Sequence, residues 1–145
     1  MIILEAYVGF HRPRFRDEDG KIAPRAWFGH VEMWGYTRDN TWLFFDLQAS
    51  GIHIAITHHH DEVNDLLRLK FAQCSSVLRA VPNEDGFRFP LHGHMTCASI
   101  IGAMFGQRAW SPAGLRRKLL RNGAEVIHDE VRLQREQSGQ SGAPA

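Results

Sequence analysis

The chain has 145 residues, 43% of them hydrophobic, and a formal net charge of +1. That length and apolar share suit one domain with a real core, over residues 1–137, and the near-balanced charge gives no electrostatic case for nucleic-acid binding. No apolar stretch approaches the ~20 residues that a membrane-spanning helix needs, and Met1-Ile2-Ile3-Leu4-Glu5 lacks a basic leader, so cytoplasmic synthesis without a signal peptide is expected.

Residues 1–10 read as a buried strand. A Pro/Arg-rich and acidic segment follows over 11–24, with Asp19-Gly20 as a turn signal. Residues 27–36 read as a second strand, 37–40 as a hairpin loop and 41–48 as the returning strand. Ser50-Gly51 turns the chain again, and Ile52-His53-Ile54-Ala55-Ile56 alternates as another strand. Val63, Leu66, Leu67 and Lys70 fall at helical spacing, which predicts an amphipathic helix over 61–70. A strand over 75–81 ends at Pro82-Asn83, and 84–94 read as a loop. Thr96 caps a helix over 97–105 that Gly106 closes. Ser111-Pro112 opens a helix that runs to Arg121 and stops at Asn122-Gly123. Residues 124–127 read as a last strand. Residues 138–145, Ser-Gly-Gln-Ser-Gly-Ala-Pro-Ala, are linker-like and predict a flexible tail. The sum is α+β: an antiparallel sheet with two or three packed helices.

There are two cysteines, Cys74 and Cys97. Two in a chain of this size make no disulfide framework. Cys97 follows the capping residue Thr96, so its sulfur sits at the positive end of a helix dipole, which favours thiolate over thiol. The bland reading of such a cysteine is a small buried apolar residue. His30 lies on a strand with Glu32 and Trp34 on the same face. A hairpin centred near Asp39-Asn40 sets Asp46 and Gln48 opposite Glu32 and His30. Cys97 as nucleophile, His30 as base and Asp46 or Gln48 as the group that orients the imidazole therefore make a catalytic constellation, with Glu32 as another candidate for the third position. The Cys97 backbone N–H adds an oxyanion donor.

Rival readings attach to the nine histidines. His58-His59-His60-Asp61-Glu62, with His53 nearby, is dense, but consecutive residues seldom converge on one ion, and a solvated turn explains the run. His92, His94 and Cys97 have a His-x-His-x-x-Cys spacing that offers three ligands to zinc or iron. That alternative competes with catalysis, because it consumes the thiolate. Beyond it the sequence calls for no metal and no cofactor. Leu115, Leu119 and Leu120 mark the buried side of the helix after Pro112, and Arg116, Arg117, Lys118 and Arg121 read as its solvated face. Trp27, Phe28, Trp34, Trp42, Phe44 and Phe45 alternate across the hairpin as core.

The order of these parts resembles the circularly permuted papain-like fold, in which the His strand precedes the Cys helix: Gly29-His30-Val31, then Asp46, then Thr96-Cys97. It also resembles small papain-like proteins encoded in phage genomes, through Thr96-Cys97-Ala98-Ser99-Ile100 followed by Ser111-Pro112-Ala113-Gly114-Leu115. The resemblance covers residues 27–120. It implies a cysteine hydrolase or acyltransferase acting on an amide or ester of a peptide or acyl group, cell-wall peptides among them. It carries Cys97 over as nucleophile, His30 as base and Asp46 as orienting residue. The alternative it implies is a catalytically silent, tail-associated module that partners other phage structural proteins in a virion.

Overall fold

A computed structural model describes residues 3–12, 28–83 and 95–130. Among these residues six strands form one sheet: β1 (Ile3–His11), β2 (His30–Thr37), β3 (Thr41–Gln48), β4 (Gly51–His58), β5 (Cys74–Ala80) and β6 (Glu125–Asp129). Among the described residues three helices complete the order: α1 (Asp61–Gln73) between β4 and β5, then α2 (Cys97–Met104) and α3 (Pro112–Arg121) between β5 and β6. The sheet order is β4-β3-β2-β1-β5-β6. Every neighbouring pair is antiparallel. The α+β expectation therefore holds, with three helices.

The two-residue period of a strand sorts side chains to two faces. Ala6, Val8, Phe10, Val31, Met33, Phe45 and Leu78 meet Ile100, Ile101, Met104, Leu115 and Leu119 from α2 and α3 on one face. Trp34, Phe44 and Val77 meet Val63, Leu66, Leu67 and Phe71 of α1 on the other. Because helices cover both faces, the central strands are buried on both sides. A fully buried leucine such as Leu115 is worth about 1.5–3 kcal/mol of transfer free energy.

The hairpin loop is one residue shorter than expected, because Thr37 still belongs to β2. Asn40 turns the chain at φ 57°, a left-handed conformation that asparagine tolerates. The helix expected to stop at Lys70 continues one turn to Gln73. Phe71, four residues after Leu67, seats its ring 5.7 Å from that of Trp34 and holds the extra turn. Alternation in β4 is not a sign of burial: Ile52, Ile54 and Ile56 are each more than half exposed on this edge strand. The basic residues of α3 do not form a uniformly solvated face. Arg116 turns inward to Ser76 (3.0 Å) and Asp129 (2.5 Å). Trp27, most of the segment over 11–24, the loop over 84–94 and the tail over 138–145 lie wholly or largely outside the described residues.

Candidate active site

Thr96 starts α2 with a reciprocal pair of hydrogen bonds. The Ser99 N–H donates to Thr96 Oγ1 (3.1 Å), and the Thr96 N–H donates to Ser99 Oγ (2.8 Å). This capping box fixes the first turn, and with it Cys97. Thr96→Ala should cost about 1 kcal/mol, read as a lower urea midpoint, and Thr96→Ser should restore it.

Cys97 is half-buried and reduced. It lies against the start of β2, where it interacts with the His30 ring and the Val31 backbone N–H, besides the Ala98 N–H of its own helix. Burial works against its ionisation, but His30 and these two N–H groups outweigh that and hold the thiol below its ordinary range. His30 is the reciprocal case. Its hydrogen bond with Cys97 raises it most, partial burial opposes this, and Asp46 raises it further, to about 9. Both shifts favour a thiolate–imidazolium pair.

The Asp46 carboxylate Oδ1 accepts from His30 Nε2 at 2.6 Å. With Nε2 committed to Asp46, Nδ1 is the ring nitrogen left for the thiol. Gln48 Nε2 donates to Asp46 Oδ2 at 2.6 Å. Burial opposes the Asp46 charge, but Gln48 and His30 hold the carboxyl below its usual range. The register places Glu32 opposite Asp46, as the hairpin predicts. Two candidates for the third position thus act in series: Asp46 touches the imidazole, and Gln48 holds Asp46.

Glu32, the other candidate, does not orient His30. It is buried, accepts from His11 Nε2 at 2.7 Å through Oε1, and pairs with Lys70 through Oε2. Sequence reasoning missed this neighbouring group. His11 and Cys74 are 63 positions apart, yet Cys74 Sγ lies 3.7 Å from His11 Nε2. No local motif joins them; sheet pairing does, since His11 faces both His30 and Cys74. The His11 and His30 rings lie 5.4 Å apart. Burial, reinforced by the Glu32 charge, pushes the Cys74 thiol up to about 12, so the two cysteines differ sharply in ease of ionisation.

The histidines over 53–60 do not converge on one point. His53, His58, His59 and His60 each bond a separate partner, respectively Ser50, Thr41, Trp42 and Thr57. His92 and His94 lie outside the described residues. A cavity of about 610 Å³ borders His30, Asp46 and Gln48 and extends over Glu32, Lys70 and His11. Cys97 is not in its wall. No described helix is long and apolar enough to cross a membrane. Comparison with family models, curated proteins and solved structures finds no match.

Proposed function

We propose that this protein is a cysteine hydrolase or acyltransferase of the permuted papain-like kind, acting on an amide or ester of a peptide or acyl group. One observation carries the reading: a single imidazole, His30, engages the Cys97 thiol and the Asp46 carboxylate together. The thiolate is the attacking group, and a histidine held by a carboxylate is the means of moving its proton. Cys97 Sγ attacks the carbonyl carbon, and the carbonyl oxygen becomes an oxyanion facing the Cys97 backbone N–H at the start of α2. The His30 imidazolium gives its proton to the leaving amine or alcohol. In hydrolysis the neutral imidazole then takes a proton from water as it attacks the thioester, and Cys97 leaves as thiolate. Asp46 keeps the ring oriented and stabilises its charge.

The test uses p-nitrophenyl acetate as an acyl probe. The protein should release a burst of nitrophenol and carry the acetyl group on Cys97 by mass spectrometry. Cys97→Ala should lose both, while Asp46→Ala should slow acylation by about 10²-fold or more. An acetyl group found on Cys74, or a burst that survives in Cys97→Ala, rules the assignment out.

A further inference from the structure

His11, Glu32 and Cys74 lie outside the catalytic trio, yet their donor atoms all fall within 4.8 Å of one another. We propose that His11 Nε2, Glu32 Oε1 and Cys74 Sγ form a three-ligand zinc site whose fourth position is open to solvent. The side chains come from the end of β1, from β2 and from the start of β5. Their meeting depends on a slip in register. Phe10 pairs with Ser76, but His11 pairs with Cys74, so Ser75 is skipped and its hydroxyl donates instead to the Phe10 carbonyl at 3.0 Å. Without that slip Ser75 would stand opposite His11. Strand irregularities of this kind re-aim side chains beside functional sites.

The donor set selects the metal. One imidazole, one carboxylate and one thiolate suit a borderline-soft ion that accepts four ligands, whereas calcium and magnesium take oxygen. Glu32 is already divided in the required way. Lys70 holds Oε2 from outside, which orients the carboxylate and leaves Oε1 directed at His11. Access exists from two sides. The 610 Å³ cavity reaches His11 and Glu32, and a second one of about 400 Å³ reaches His11 and Cys74.

Binding balances as follows. The zinc ion displaces the Cys74 thiol proton to solvent and forms a Zn–S bond. The His11 proton moves from Nε2 to Nδ1, which frees the Nε2 lone pair without net release. A water completes four-coordination. Each ion bound therefore releases one proton.

The experiment titrates chelator-treated full-length protein with cobalt(II) as an optical probe. A thiolate-to-cobalt charge-transfer band should grow to one ion per chain and disappear on adding zinc. Calorimetry of zinc binding in buffers of different ionisation enthalpy should count one proton released. The band should persist in Cys97→Ser and vanish in Cys74→Ser. His11→Ala should weaken binding. Absence of a thiolate band in the unmodified chain overturns the proposal whatever the variants do. So does a band that survives Cys74→Ser, or one lost in Cys97→Ser. Because the decisive measurement is binding by a chain that lacks the Cys97 thiol, the zinc site stands or falls separately from the hydrolase reading.

Discussion

Replacing His30 with alanine is expected to move the reactivity of Cys97 toward that of an ordinary thiol and to reduce acyl transfer by about 10²–10⁴-fold. The sign follows from two opposed shifts. Cys97 is held below its usual range, so the thiolate appears at lower pH than in a free cysteine. His30 keeps its proton up to about 9. The thiolate–imidazolium form therefore fills the window between the Cys97 transition and about pH 9. Acylation should rise as pH climbs through the depressed thiol transition. Where protonation of the leaving group limits the rate, it should fall again as His30 loses its proton. In His30→Ala the falling limb should vanish and the rising limb should shift upward, toward the ~8.5 of an unperturbed thiol. Iodoacetamide alkylation of Cys97 against pH, followed by peptide mass spectrometry, reads the rising limb directly. A Cys97 profile identical in the two proteins would show that the imidazole does not set the thiol's ionisation.

The second large effect is structural. Gly9 sits in β1 between Glu32 on β2 and Val77 on β5. A Cβ at this position would fall 2.5 Å from Cys74 Sγ and 2.7 Å from the Trp34 ring. Both neighbours are buried, and the Trp34 indole is packed between Tyr7 and Phe71. Gly9→Ala should therefore cost about 1–3 kcal/mol or more through overpacking, seen as a lower urea midpoint at unchanged slope. Cys74→Ala on the same background removes the sulfur but leaves the indole, so it should return part of the loss. The two changes should be non-additive by about 0.5–3 kcal/mol in a double-mutant cycle. A Gly9→Ala protein as stable as the parent would mean that the strand can shift enough to admit a methyl group, and the close approach of Cys74 to β1 would lose its support.

The two predictions concern the two cysteines, and the cysteines differ in how much of their surroundings the sequence reveals. Thr96, Cys97 and Ser99 lie within one helical turn, so the cap and the dipole at the sulfur follow from local chemistry alone. The same holds for Ser111-Pro112 opening α3, and for the β2–β3 hairpin, whose short loop fixes Glu32 opposite Asp46. That register made Asp46 and Gln48 readable as partners near His30. It left open which of them, or Glu32, touches the ring, because residues at neighbouring positions on one face differ in reach and rotamer rather than in pattern. The structure assigns contact to Asp46 and support to Gln48, and turns Glu32 toward His11 and Lys70.

Local order thus determined the elements, their caps and the hairpin that carries His30, since each depends on residues a few positions apart. Only the tertiary structure decided what stands beside them. The addition of β5 next to β1 joins His11 to Cys74, and Phe71 lengthens α1 by packing on Trp34. Arg116 turns from solvent to Asp129 because β6 returns beside β5. Each of these contacts joins residues whose proximity comes from closing long loops and burying apolar faces, and that cost and gain leave no periodic trace in the chain.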